Sequence, residues 1–436
     1  MKRFTALLTA LVAALLLSGC IAKNPTPVEN NDTPENDAAV SDTTVTQVEE
    51  PEPEPEIIEY RTSFLACGDN IIYGTKDAVY NAIEGGRQYN YKPYYTGVAD
   101  RIAAADIAFI NQETLMCGEG YSLSYYPCFN SPQELGYDLM EMGFDVVNMS
   151  NNHMLDKGVD GLSKTIAFWK GMENVLMIGG YENQEDFDTI RYLEKDGVKI
   201  AFLSYTYGTN GIVKPASSPL VVPYINDEDI IRQTALAKEC ADLVFVSVHW
   251  GIEGAFTPNA EQKRVAQLFA DCGVDVIIGH HPHVIQPVEW MVGKDGNNTL
   301  CIYSLGNFMA QQAYDYNMLG GMASFDIVHT SEEGSVPHIE NVLFTPTVFH
   351  FRGDFLGNNV MPFEEYTPEL AANHGVRTYF GHHMSYDTLL GYIENTISDE
   401  FLPEFYQDEE VTEEIITEEA AQTGDNAEST ESNEIQ

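Results

Sequence analysis

Positive charge is what this sequence has least of. Only 22 Lys and Arg stand against 67 Asp and Glu in 436 residues, a formal net charge of −45. A chain this acidic is repelled by a phosphate backbone, which excludes nucleic acid as a partner. The acidic bias reads instead as solubility on a cell surface. Cysteine is also scarce, with seven residues and no CxxC pair, so a zinc-ribbon site is not indicated. No internal repeat and no second hydrophobic core are visible. Large apolar residues are almost missing between Cys20 and Ile57, where Pro, Asn, Thr and Glu dominate and the stretch ends in EEPEPEPEIIEY. Such a segment cannot bury enough surface to fold.

The N-terminus has the apolar run that the linker lacks. MKRFTALLTALVAALLLSGC begins with Lys2 and Arg3, continues through a stretch too short to span a bilayer comfortably, and ends in Leu17-Ser18-Gly19-Cys20. The ending resembles a bacterial lipobox. That resemblance implies a lipoprotein signal peptide over 1–19, cleavage before Cys20, and a lipid on its sulfur that anchors the chain to the cell membrane. The alternative is an ordinary secretory signal with an accidental cysteine. Either way the mature chain is extracytoplasmic. Residues 20–60 then read as a disordered acidic linker. Residues 399–436, with fourteen acidic side chains and no Lys or Arg, read as a disordered acidic tail.

Between these tails, short apolar runs alternate with amphipathic ones. SFLACGD (63–69), DIAFINQE (106–113), DVVNMSNNH (145–153), VLMIGG (175–180), KIAFLSY (199–205), DLVFVSVHWG (242–251), VDVIIGHHPH (274–283) and LCIYSLGNF (300–308) read as strands. SPQELGYDLMEMG (131–143) and AEQKRVAQLFADCG (260–273) read as helices. The alternation predicts an α/β fold with a largely parallel sheet covered by helices on both faces. GGMASFDIVHT and IENVLFTPTVFHF lack an intervening helix and predict an antiparallel hairpin at the sheet edge. The main domain is expected over 61–351, with a C-terminal extension packed on it over 352–398. Oxidising surroundings permit disulfides, and Cys117 with Cys128 is the best candidate pair. Cys67 and Cys301 lie in strand patterns and read as buried thiols.

Strand after strand ends in groups that can bind a cation: Asp69, Glu113, Asn152 with His153, His249, then His281 and His283. In an open α/β sheet these strand ends share one rim. A buried cluster of carboxylates and imidazoles is costly unless something satisfies it, and a metal ion does. Each element also has a plainer reading. GD can be a turn, NNH can cap a helix starting near Met154, His249 can be a packed core residue, and HHPH can be surface histidines. His374, His382 and His383 have no such strand-end placement and read as structural.

GDN (68–70), NQE (111–113), NNHMLDKG (151–158), HWGIE (249–253), GHHPHVIQP (279–287) and YSLGNF (303–308) together resemble the bacterial capsule-synthesis protein family, CapA, associated with poly-γ-glutamate. The resemblance spans 61 to about 311. It implies the four-layered α/β sandwich of the related calcineurin-like metallophosphoesterases, with one or two divalent metals. Carried over residue by residue, Asp69 matches the first-strand aspartate, Glu113 a bridging carboxylate and Asn152 the asparagine ligand. His249, His281 and His283 complete the metal shell, and His153 is the candidate catalytic general acid. The relatives also carry a histidine two residues after the first aspartate, where this chain has Ile71.

The mixed N/O set suits Mn, Fe or Zn without choosing among them, and the chemistry such a site offers is hydrolysis. The implied partners are a capsule or cell-wall polymer and the capsule synthesis and export machinery. A protein this acidic should nonetheless repel a polyanion. Three functions stay compatible: a surface metallohydrolase in poly-γ-glutamate or wall-polymer biosynthesis, a non-catalytic component of polyglutamate synthesis or export, and a solute-binding lipoprotein.

Overall fold

The apolar runs become fourteen strands, in a computed structural model that describes residues 56–82 and 87–406. They are β1 Glu59–Asn70, β2 Ile107–Gln112, β3 Val146–Asn148, β4 Leu176–Ile178, β5 Arg191–Lys195, β6 Val198–Thr206 and β7 Leu243–His249. They continue as β8 Val276–His280, β9 Val288–Val292, β10 Asn298–Ile302, β11 Asn307–Met309, β12 Leu319–Thr330, β13 His338–His350 and β14 Asn359–Pro362. These strands form two sheets rather than one. The first runs β14-β13-β12-β1-β2-β3-β4, with β11 pairing β1; the second runs β5-β6-β7-β8-β10-β9.

The parallel pairings expected from the alternating pattern hold within each sheet, along β1-β2-β3-β4 and along β6-β7-β8-β10. Antiparallel strands flank them. The expected hairpin is β12 with β13, but β12 also pairs β1 and β13 pairs β14, so the hairpin lies inside the sheet and β14 takes the edge.

The two sheets face each other across a shared apolar layer. Phe64 of β1 and Phe325 of β12 pack against Phe202 of β6 and Phe245 of β7, with ring centroids 5.2–6.3 Å apart. Helices cover the outer faces. Gln133–Met142 and Gly158–Lys170 bury Leu135, Leu139, Leu162, Ile166 and Trp169 beside the first sheet. Asp227–Cys240 and Ala260–Cys272 bury Ile230, Val265 and Phe269 in a separate apolar cluster with Leu203, Val246 and Ile277 of the second. That cluster is a second core the sequence did not disclose, because alternate residues of a buried strand feed opposite layers. Helix, sheet, sheet, helix is the four-layered sandwich implied by the resemblance. Ala260–Cys272 starts at a capping box between Asn259 and Gln262. Among the described residues no helix is long and apolar enough to cross a membrane.

Several boundaries differ from expectation. The third strand stops at Asn148, and residues 151–157 turn before a helix that begins only at Gly158, so NNH does not cap a helix at Met154. Glu59 and Tyr60 belong to β1 rather than to the linker, because each pairs with β12. The acidic tail expected from 399 begins with ordered residues: Phe401 and Leu402 are buried, and the chain is described to Tyr406. The C-terminal extension thus runs past 398. Cys117 and Cys128 are not bonded. Cys117 is buried against the helix Gly158–Lys170, its thiol 3.6 Å from the Gly161 carbonyl, while Cys128 sits in a partly exposed turn. Cys67 and Cys301 are the buried thiols expected. His374 is structural: its Nδ1 accepts from the Val376 amide and its Nε2 meets the Phe349 carbonyl. Cys20 lies outside the described residues.

Candidate metal centre

Asp69 reaches the centre through a bulge. The β1–β2 register passes from Cys67 opposite Ile110 to Asp69 opposite Asn111, so Gly68 is an extra residue. Without it Asp69 would share the face of Leu65 and Cys67. With it Asp69 joins the face of Phe64, toward the second sheet. Only glycine fits, because a Cβ at 68 would stand 2.2 Å from the Gly306 carbonyl oxygen. The opposite wall is built the same way. A Cβ at Gly279 would lie 2.0 Å from the Tyr303 carbonyl oxygen. Beyond it, His281 at φ 97° and His283 at φ 56° hold left-handed backbone that costs on the order of 1–3 kcal/mol each for non-glycine residues. That strain aims the two imidazoles back over the sheet ends.

The sequence-predicted residues converge. Single donor atoms of Asp69, Glu113 and His283 lie within 4.8 Å of one another, as do those of Glu113, His249 and His281. Glu113 is common to both triads. Asn152 joins the second, its Oδ1 2.9 Å from His249 Nε2. His283 Nδ1 stands 3.2 Å from Asp69 and 3.0 Å from Asn307 Oδ1, which leaves its Nε2 facing Glu113 at 3.8 Å. Behind the donors a polar relay fixes Asp69: Asn111 donates to it at 2.7 Å, Asn148 donates to Asn111 at 2.8 Å, and Ser204 of β6 donates to Asn148. Such outer partners hold ligands in place.

The electrostatics are those of an uncompensated site. Both carboxylate oxygens of Glu113 are buried without a hydrogen-bond partner, as are Nδ1 of His249 and of His281. Burial, then the neighbouring Asp69 charge, pushes the Glu113 carboxyl well above its ordinary range. Burial also pushes His249 far down and His281 to about 3, leaving both imidazoles neutral, the form that binds a metal. Burial works against the Asp69 carboxylate, yet His280 and His283 hold it well below the usual range. Two carboxylates, three imidazoles and an amide oxygen form a mixed N/O set suited to a divalent cation.

His153 stands beside this cluster rather than in it. Its Nδ1 lies 2.8 Å from the buried Asp156 carboxylate, whose same oxygen accepts from the Phe129 amide. The Phe129 ring meets the imidazole edge-on at 4.8 Å.

Three residues escaped the sequence reading. His280 is fully buried, stacks on Phe109 and has Nδ1 3.3 Å from Asp69, with neither nitrogen otherwise partnered. The HHPH run named it but not its face, which follows from its sharing strand parity with Val276 and Ile278. Glu253, at the end of HWGIE, comes within 4.8 Å of His281 and His283 through a turn no periodicity signals. Asn307, in YSLGNF, orients His283.

Residues 63–312 match the family described as Bacterial capsule synthesis protein PGA_cap. The PGA biosynthesis protein CapA of Bacillus subtilis is 37% identical over 178 residues, covering 40% of this chain and 45% of that one. The capsule biosynthesis protein CapA of Bacillus anthracis is 34% identical over 219 residues, covering 47% and 52%. The chain thus spans about half the length of these relatives. Among solved structures, a 5'-nucleotidase precursor from Thermus thermophilus aligns at TM-score 0.41 and 12% identity, covering 77% of this chain and 59% of that one. The calcineurin-like phosphoesterase YfkN from Bacillus subtilis aligns at TM-score 0.37 and 13% identity, covering 78% and 97%. With more than half of its length matched and the matched motifs gathered at one rim, the chain belongs to the bacterial capsule synthesis protein family PGA_cap.

Proposed function

We propose that the protein is an extracytoplasmic, lipid-anchored, metal-dependent hydrolase acting in poly-γ-glutamate capsule or cell-wall polymer biosynthesis. The observation that carries this reading is Glu113, whose two oxygens are buried, unpartnered and shared by two donor triads. A carboxylate left so costs several kcal/mol unless a cation compensates it. Asp69, Glu113 and His283 would hold one divalent ion; Glu113, Asn152, His249 and His281 would hold a second. Bound there, such ions supply Lewis-acid activation of water and of the bond to be cleaved.

The chain's own residues supply the rest. Asp156 accepts from Nδ1–H of His153, which leaves Nε2 to deliver a proton to a leaving group. Asn111 and Asn307 keep Asp69 and His283 in orientation. A second reading, a non-catalytic component of polyglutamate synthesis or export, is favoured by Ile71, which is buried with Phe129 and Ala310 and contributes no donor. One triad then has only three protein ligands.

Elemental analysis of the purified full chain, with turnover of bis-p-nitrophenyl phosphate measured before and after chelation, separates the two. The expected result is about one or two equivalents of Mn, Fe or Zn and turnover that chelation abolishes. His281→Ala and His283→Ala should each weaken metal binding by more than the roughly 10–100-fold typical of losing an outer partner, with the fold intact. Unchanged stoichiometry in both variants sinks the metal site, and bound metal without turnover on any ester favours the second reading.

A further inference from the structure

We propose that the cleft adjoining the metal centre is a saccharide-binding subsite that takes uncharged pyranose rings, a substrate class that rests on the hydrolase reading of the same site. A cavity of about 600 Å³ opens directly from His283 and Glu253. A second, of about 550 Å³, shares Tyr73, Gln311 and Phe380 with it, so the two form one groove leading away from the triads. Two adjoining cavities of this volume hold more than a single small acid and suit a chain of rings.

The walls decide the chemistry. Tyr126 and Tyr314 line the first cavity and are 72% and 48% exposed, although rings of this size gain by burial. Tyr314 stacks with His382 at 4.7 Å and with Tyr316 at 5.3 Å, at interplanar angles of 10° and 8°. Its orientation is therefore set before any ligand arrives. Beside these rings stand the amides of Gln311, which donates to Asn358, and of Gln312, which accepts from Asn307 and donates to Tyr73; an amide so held keeps a second N–H and a second lone pair. Flat apolar faces edged with amides match a pyranose, whose C–H faces are apolar and whose rim is hydroxylated.

Charge argues against the other candidates. Among the described residues lining the two cavities, the only Lys or Arg is Lys76, and its Nζ already donates to the Asp354 carbonyl at 2.7 Å. Glu253 adds a negative charge at the mouth. A polyanion threaded through this groove would meet that single ammonium, in the cavity farther from the triads, on a chain whose net charge is −45. A neutral glycan carries no such penalty.

The test is calorimetric titration of the purified full chain with chitohexaose, with EDTA present so that binding does not depend on metal. Parallel titrations use poly-γ-glutamate and adenosine monophosphate. The expected result is saturable binding of chitohexaose alone, weakened about tenfold in the double variant Tyr126→Ala, Tyr314→Ala with the thermal melt unchanged. Absence of chitohexaose binding overturns the inference. So does chitohexaose binding that the double variant leaves intact, or tyrosine-dependent binding of the nucleotide or polyglutamate in its place. Metal-dependent turnover without saccharide binding removes this inference and leaves the hydrolase; saccharide binding without such turnover does the reverse.

Discussion

Asn152 and His153 are neighbours in the chain with different partners. Asn152 points its oxygen at His249 in the donor cluster, whereas His153 is held by Asp156 outside it. Their loss should therefore be felt differently. Asn152→Ala removes one oxygen from a metal shell, so metal affinity falls and added metal partly restores turnover. His153→Ala leaves metal bound but slows esters with poor leaving groups by about 10²–10⁴, and those with good leaving groups much less. A metal titration and rates on two esters of different leaving-group pKa check both outcomes. Equal loss on the two esters with metal retained would exclude the general-acid role.

At the scale of elements, the site depends on how closely strands approach one another. Because a Cβ at 279 would strike the Tyr303 carbonyl at 2.0 Å, Gly279→Ala must push β8 away from the segment following β10. The expected cost is about 1–3 kcal/mol in a thermal melt, with weaker metal binding as the HHPH loop shifts. The junction of β13 with the C-terminal extension sets a different limit, through two buried histidines outside the donor cluster. His350 closes β13 and His374 precedes the short helix Gly375–Thr378, with ring centroids 5.1 Å apart.

Burial holds His350 down at about 4, with Arg352 adding to the effect, and His374 at about 3. An unfolded histidine takes up its proton near pH 6.5, while these two stay neutral in the folded chain. Their contribution is thus fully present above about pH 6.5 and is lost as pH falls toward 4 and then 3. Each pKa unit corresponds to about 1.4 kcal/mol, so the acid side of the stability profile should steepen by several kcal/mol. His374→Gln should flatten that slope, read from denaturant midpoints between pH 7 and 4. An unchanged slope would show that the pair does not titrate as placed.

At the scale of the whole molecule, the N-terminal sequence bears on where the protein works. The basic start, the short apolar run and LSGC point to a lipid on Cys20. Cys20→Ser should therefore move the protein from the membrane to the soluble fraction of fractionated cells, since the linker that follows offers no apolar surface to hold it. Retention in the membrane after signal cleavage would require another anchor. The acidic balance acts at this scale too, because a chain of net charge −45 repels other anionic surfaces, and salt screens that repulsion.

The sequence by itself determined most of the strands, two of the helices and the six motifs, because buried strands need continuous apolar runs and a metal shell needs Asp, Glu, Asn and His where those runs end. It also brought Glu113 and His281 to notice by their placement at strand ends, and the fold brings them together. What it could not determine was which face each residue takes or which strands pair across space. The bulge at Gly68 turns Asp69 from one layer to the other, and no local pattern announces it. His280 and His281 are chemically alike and adjacent, yet strand parity buries one beneath Asp69 while a left-handed backbone lifts the other into the donor cluster. Cys117 and Cys128 are suitably spaced for a bridge, but the helix Gly158–Lys170 claims one thiol and not the other. Two sheets instead of one, the Tyr-lined groove and Glu253 at its mouth follow from long-range packing, and packing is decided by the fit of distant surfaces, which a linear pattern does not encode.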